Sequence, residues 1–149
     1  MQRRAAILMN DGSVLLPEDA NPIRLDINKD YFIVIQHRNH LPIMSPRLLS
    51  IERDQISFDF RINESYTGLL GSGQKDVNGL YCVYAANGDQ FKEAISEFDI
   101  NIRDMDMWFR SNGLNSAYMN ADFDMNGDVN VNDQIMWLLN NGVFSDVPR

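Results

Sequence analysis

The chain lacks most of the residues on which reactive chemistry is built. Cys82 is the single cysteine among 149 residues, so no internal disulfide can form and no thiolate metal site exists. There is no glycine-rich phosphate loop, no Gly-x-Ser-x-Gly elbow and no His-Glu-x-x-His helix, so catalytic motifs are absent and no enzyme is expected. Basic residues are scarce. Thirteen Lys and Arg against twenty-one Asp and Glu leave a formal charge of −8 and a pI near 4.6, which argues against a nucleic-acid or anionic-membrane surface. No apolar run approaches the roughly twenty residues of a membrane span. The basic pair Arg3-Arg4 is followed by an apolar run at 5–9 that is too short for a signal-peptide core. From these features alone the chain is either cytosolic or a piece of a longer secreted precursor. Its 44% hydrophobic and 10% aromatic content suffices for one core, or for two small subdomains that share an interface.

What the chain does have is acid at regular spacing. In Asp122-Phe123-Asp124-Met125-Asn126-Gly127-Asp128-Val129-Asn130-Val131-Asn132-Asp133, oxygen-bearing side chains occupy loop positions 1, 3, 5, 7, 9 and 12, with glycine at 6. A twelve-residue calcium loop needs this order, because Ca²⁺ takes six to eight oxygens at roughly 2.3–2.6 Å and only alternate residues turn inward. Gly127 allows the loop to double back through left-handed backbone. Val129 is the apolar anchor at position 8. The candidate ligands are Asp122, Asp124, Asn126, Asp128, Asn130 and Asp133.

The first eighty-odd residues read as strands. An Asp11-Gly12 turn separates apolar residues 5–9 from 14–16, a hairpin signal. Ile23, Leu25 and Ile27 alternate with polar residues, and residues 31–35 are β-branched and aromatic. Leu48, Ile51, Ile56, Phe58 and Phe60 continue the pattern around a turn at Arg53-Asp54, and residues 80–84 close it. Residues 63–78 are polar and Gly/Ser-rich and read as a long loop; the glycosylation triplet at Asn63 is discounted. His37 and His40 could bind a transition metal, but residues three apart on a strand face opposite sides. They are therefore expected to be hydrogen-bonded groups at a strand end.

The last third repeats itself. Asp99, Asn101 and Asp104 lie twenty-nine residues before Asp128, Asn130 and Asp133, and the same offset superposes Met107-Trp108 on Met136-Trp137 and Asn112-Gly113 on Asn141-Gly142. Each copy should end in a helix that begins near an acid, Asp104 or Asp133, and stops at an Asn-Gly pair. Met105, Trp108 and Phe109 on one helix, and Met136, Trp137 and Leu139 on the other, are expected to form a shared core. In the first copy, Asn87 and Asp89 match positions 1 and 3. Ten residues then separate Asp89 from Asp99, against four between Asp124 and Asp128. Six inserted residues would have to bulge outward, with Glu93 or Glu97 replacing the missing oxygen. The alternative is a metal-free partner loop. The first candidate site is thus Asn87, Asp89, Asp99, Asn101 and Asp104, and the chain is expected to hold one Ca²⁺ or two.

On these residues the C-terminal part resembles type I dockerin repeats, a variant of EF-hand-like loop–helix units, and aspartate at position 12 suits that variant. The resemblance implies two calcium loops whose helices dock a partner module. The whole chain also resembles the C-terminal region of haemagglutinin-like surface proteins of gliding bacteria, through the segment Tyr31-Phe32-Ile33-Val34-Ile35-Gln36-His37-Arg38-Asn39-His40-Leu41. That resemblance implies an extracellular or cell-surface setting on a Gram-negative bacterium, within a larger surface protein. The expected fold class is α+β: a small antiparallel β-sandwich of the immunoglobulin or transthyretin kind over residues 1–84, then a dockerin-like calcium pair over 85–149. The expected function is a non-catalytic, calcium-stabilised structural or adhesion module, with calcium-dependent protein docking as the alternative.

Overall fold

A computed structural model describes residues 3–9, 13–17, 23–90, 98–115 and 118–148. The architecture is mixed α and β. Among the described residues, eight short strands pair antiparallel into four two-stranded sheets: β1 (Ile7–Leu8) with β2 (Val14–Leu15), β3 (Val34–Ile35) with β4 (Ile43–Met44), β5 (Gln74–Val77) with β6 (Leu80–Val83), and β7 (Phe98–Asp99) with β8 (Phe144–Ser145). The helices α1 (Ile102–Ser111) and α2 (Val131–Asn140) lie between β7 and β8 in sequence.

Several expected strands shorten or disappear, and no two broad sheets face each other among the described residues. Ile23, Leu25 and Ile27 form no strand, and Tyr31 makes only a single bridge to Leu49. The hairpin at the start is present, Ile7 opposite Leu15, although its tip at 10–12 lies outside the described residues. The turn at Arg53-Asp54 is also present, with φ of 49° and 63° and Glu52 bridged to Gln55. The loop reading of residues 63–78 needs correction, since β5 falls inside it. Asn78 and Gly79 have φ of 55° and 86°, the mirror-image turn that matches the right-handed twist of the strands it joins. The Asn-Gly dipeptide carried that information.

The two repeats interlock by exchange. Each helix begins with a capping box, Asn101 with Asp104 on α1 and Asn130 with Asp133 on α2. Each also stops at a left-handed glycine, Gly113 (φ 89°) or Gly142 (φ 86°). The Trp108 indole of α1 donates to the Asn130 carbonyl at 2.7 Å, and the Trp137 indole of α2 donates to the Asn101 carbonyl at 2.7 Å. Gly113 N donates to Val129 O while Gly142 N donates to Ile100 O, both at 2.8 Å. Val129 N donates to Leu114 O and Ile100 N to Val143 O. Each of these bonds in one copy has its counterpart twenty-nine residues away in the other. The duplication is visible as a two-fold pattern of contacts.

The core lies beneath these loops and not between the helices alone. Phe98, Ile100, Trp108, Ala121, Phe123 and Val129 are buried together with Leu41 and Ala86, and Tyr84, Met105, Met107, Met136 and Trp137 pack around them. Because the loop residues fill that space, only a narrow side of each helix is covered. Phe109 and Leu139, expected inside, are 72% and 73% exposed. The core and several hydrogen bonds cross the expected boundary after residue 84: Ser145 Oγ donates to Pro42 O, Asn140 Nδ2 donates to Ala85 O, and Ser72 bridges Ser145.

The exchanged indole bonds carry a prediction. Trp108→Phe and Trp137→Phe each keep the ring volume class but leave a helix-start carbonyl without its donor. Each should cost about 1 kcal/mol, by urea denaturation, and the two costs should be similar. A loss of only a few tenths in either would show that the exchanged bond does not help hold the repeats together.

Candidate metal centre

Asp133 organises the second loop. It is the third residue of α2 and fully buried. Its Oδ1 accepts from the backbone N–H of Phe123 at 2.6 Å and of Asp124 at 3.0 Å, and its Oδ2 from Asn130 N at 2.9 Å. The start of the loop is thereby folded back onto its end. Asp122, also buried, accepts from Asn126 N at 3.0 Å and Gly127 N at 3.2 Å. Asp124 accepts from Asn126 N at 3.1 Å. One carboxylate oxygen from each of Asp122, Asp124 and Asp133 lies within 4.8 Å of the others. Two oxygens on opposite sides of one Ca²⁺ would be about 4.6–5.2 Å apart, so the three fit around a single ion. This buried acidic group could hold a metal ion.

The remaining predicted ligands stand further out. Asn126 and Asp128 are exposed. Asn126 Nδ2 donates to Asp124 Oδ2 at 2.9 Å, and its Oδ1 accepts from Asp128 N at 2.8 Å. Asn130 uses its side chain as the cap of α2, accepting from Asn132 N at 2.8 Å. Partial burial, together with the negative charges of Asp133 and Asp122, holds the Asp124 carboxyl above the ordinary carboxylate range, against the lowering effect of its bond from Asn126 N.

The first loop carries the same wiring. Asp104 Oδ1 accepts from Gly88 N at 2.8 Å and Asp89 N at 3.1 Å, and Oδ2 accepts from Asn101 N at 2.8 Å. Gly88 therefore corresponds to Phe123, Asp89 to Asp124 and Asn101 to Asn130. This places Asn87 opposite Asp122 and locates the six-residue difference between Asp89 and Asp99, as the sequence reading had it. Asn87 is fully buried, and among the described residues neither Oδ1 nor Nδ2 of its amide has a hydrogen-bond partner. An orphaned buried amide costs about 1–3 kcal/mol. A cation at this position would receive its oxygen. Asp99 Oδ2 accepts from Asn101 Nδ2 at 2.9 Å, and among the described residues Asp89, Asp99 and Asp104 do not converge as the second-loop acids do. Burial first, and then the charge of Asp89, push the Asp104 carboxyl well above its ordinary range. Glu93 and Glu97 lie outside the described residues.

Two residues of this centre were missed in the sequence. Arg38 reaches Asp122 with Nη2 3.5 Å from Oδ2, donates to Met119 O, and lies 3.9 Å over the Tyr118 ring. Asn39 is fully buried. Its backbone carbonyl accepts from Ala86 N (2.9 Å) and Asn87 N (3.2 Å) of the first loop, while its Nδ2 donates to Asp122 O of the second. One asparagine thus ties both loops to the β part. The histidines flanking this pair are hydrogen-bonded, as expected, but do not face opposite sides. Arg38 and Asn39 form a turn and not a strand, so His37 and His40 face each other with their Nδ1 atoms 3.0 Å apart.

A scan against protein-family models, a search of curated proteins and a search of solved structures all return no match.

The bridging role of Asn39 is testable. Asn39→Ala removes the donor to the buried Asp122 carbonyl and should cost about 1–3 kcal/mol, with or without added metal. Hydrogen exchange should show the larger loss of protection at the second loop, because the first loop is held by the backbone carbonyl of residue 39, which the substitution keeps. Unchanged protection at the second loop would mean that the side-chain bond does not hold it.

Proposed function

We propose that the chain is a calcium-stabilised, non-catalytic structural or adhesion module of an extracellular or cell-surface protein. The observation that carries this reading is the convergence of Asp122, Asp124 and Asp133 inside a twelve-residue loop whose further oxygens come from Asn126, Asp128 and Asn130. An all-oxygen donor set rich in carboxylate suits a hard cation, and the spacing suits Ca²⁺ over Mg²⁺, which demands near-ideal octahedral geometry and keeps several waters. The parallel wiring of Asp104 and the orphaned Asn87 amide support a second, weaker site in the first loop. Extracellular calcium modules work with affinities of about 10⁻⁴–10⁻³ M, so a surface setting is the natural one for such loops. The metal then acts on the fold: at a hundred times its dissociation constant a ligand contributes about 2.7 kcal/mol.

A second reading, calcium-dependent docking of a partner protein, is favoured by one observation. Val131, Ile135, Leu138 and Leu139 on α2 are all exposed and recur at the spacing of a single helix face. On α1 the matching positions are Ile102, Asp106, Phe109 and Arg110, with Arg110 and Asp106 paired at 2.8 Å. Any docking face is therefore asymmetric and centred on α2.

The primary test is thermal melting in chelator and in millimolar Ca²⁺, with calcium stoichiometry measured on the purified protein. Chelator should lower Tm and calcium restore it; a curve indifferent to both counts against the proposal. The pH dependence is also set. Asp124 and Asp104 have raised values in the metal-free fold. The stability they contribute is present below the unfolded carboxylate value and is lost as pH rises through the raised folded value. Bound calcium removes that loss. The gap in Tm between calcium and chelator should therefore widen from pH 5 to pH 7.5, and a constant gap would be inconsistent with cation binding at these acids.

Docking is separable from stability. Leu138→Ser with Leu139→Ser should leave the calcium effect on Tm intact and abolish capture of a cell-surface partner in calcium. A captured partner that survives the double substitution rules out the α2 face.

A further inference from the structure

Beside the acidic loops, the turn that contains Arg38 and Asn39 brings three electron-pair donors together. His37 Nδ1 and His40 Nδ1 are 3.0 Å apart, and Asn39 Oδ1 is 2.7 Å from His40 Nδ1. The ring planes are inclined by 77° with centroids 4.8 Å apart. Asn39 Nδ2 donates to Asp122 O, so turning the amide over would set two oxygens against each other, and Oδ1 is the atom that faces the imidazole.

No arrangement of protons suits this group well. If His40 Nδ1 carries its proton, that one proton must be divided between Asn39 Oδ1 and His37 Nδ1. If His40 Nδ1 instead accepts from His37, its lone pair faces the Asn39 oxygen at 2.7 Å, which is repulsive. A cation set among the three atoms resolves the conflict, because both nitrogens and the Asn39 oxygen then need only a lone pair. The separation also selects geometry. Two nitrogens each about 2.0–2.1 Å from one ion and 3.0 Å from each other subtend about 94°, near the right angle of square-planar coordination and short of the tetrahedral angle. Square-planar and tetragonal nitrogen sites favour Cu(II) or Ni(II), and affinity peaks at Cu(II).

We propose that His37 and His40 form a two-nitrogen site for a late transition-metal ion, Cu(II) first, distinct from the calcium loops. Solvent supplies the remaining ligands. His37 lines an open cleft of about 620 Å³ whose other walls include Ile7, Leu8 and Tyr118 on one side and Asp122, Asn126 and Gly127 of the second loop on the other, which gives an ion a way in. The position of His40 is held from behind by its bridge to Ala85 and by Gln90 Nε2, which donates to His40 O at 3.0 Å. The nearest fixed charge, Arg38, is engaged by Asp122, the Met119 carbonyl and the Tyr118 ring. Burial first, then the charge of Arg38 on His37, and of His37 and Arg38 on His40, keeps both imidazoles below their ordinary value, His40 down to about 3. Both are therefore neutral, as ligands must be, across the physiological range. The soft–hard difference between imidazole and carboxylate oxygen separates the two kinds of site.

The test is Cu(II) titration of the whole chain in millimolar Ca²⁺, on a Cys82→Ser background because Cys82 is an exposed thiol. One equivalent should bind, with nitrogen hyperfine structure from two imidazoles in the electron paramagnetic resonance spectrum. His37→Ala, at the more accessible ring, should weaken binding at least tenfold while leaving the calcium-dependent Tm shift in place. The same spectrum on the unsubstituted ligand pair keeps the test decisive should His40→Ala fail to fold. Absence of stoichiometric binding, a spectrum with oxygen ligands alone, or affinity unchanged in His37→Ala would each overturn the site.

Discussion

The structure depends on one buried asparagine. Asn39 makes no contribution to charge, yet its carbonyl receives two N–H groups from the first loop and its amide supplies the carbonyl of Asp122 in the second. In an interior where an unpaired polar group costs more than a hydrogen bond gains, such a residue fixes geometry more firmly than an apolar one. Either loop can shift only by breaking a bond to Asn39. The neighbouring Arg38 adds a charge on the same side, with its guanidinium at Asp122. The β part therefore serves as the wall against which both loops are set, and its strands can be short because the loops themselves provide the buried surface.

The two repeats are joined by exchange, and exchange changes what each repeat can do alone. The carbonyl at the start of either helix is satisfied by the indole of the other, and its bond within its own helix is long, 3.5 Å in both cases. Isolated helices of ten residues are marginal in water. Here each is completed at its start by its partner and at its end by the partner's loop, through Gly113 to Val129 and Gly142 to Ile100. Ordering one copy supplies the template for ordering the other. An ion bound in one loop is then felt in both.

How much of this could be read from the residues depends on the range of the interaction. The loop at Asp122, the capping acids Asp104 and Asp133, the Asn-Gly helix stops and the twenty-nine-residue offset are local or periodic, and each appears where expected. The alignment of Asn87 and Asp89 across a six-residue insertion held as well, because the position-12 acid fixes which N–H groups the loop must present. What could not be read was long-range. Asn39 looks like any turn asparagine until residues 86 and 122 are brought beside it. The exposure of Phe109 and Leu139 follows from loop residues filling the space beneath the helices, which helix periodicity does not report. The strands of the first part failed for a similar reason: alternation marks a half-buried surface but does not say what will cover it. The histidines are hydrogen-bonded as expected, but they face each other because the chain turns between them, which strand alternation does not report.

The balance of charge in the second loop explains why an ion would matter there without being needed to draw the loop. Two carboxylates with oxygens within 4.8 Å of each other repel by roughly 3 kcal/mol or more at an effective dielectric of 20. Set against three such pairs are the Arg38 guanidinium at Asp122 and six backbone N–H bonds, three to Asp133, two to Asp122 and one to Asp124. Bonds to charged groups contribute about 1.5–3 kcal/mol each, so these contacts offset most of the repulsion; partial burial, with the charges of Asp133 and Asp122, keeps the Asp124 carboxyl raised. The path of the loop is thus encoded in amide geometry, while the residual charge is left for a cation to neutralise. In the first loop Asn87 stands where Asp122 stands in the second, which removes one negative charge and leaves an unpartnered amide. Less repulsion there means less to be gained from an ion. In the proposed calcium reading the second loop therefore fills first, and the first loop, tied to it through Asn39 and the exchanged helix contacts, is organised before its own ion arrives.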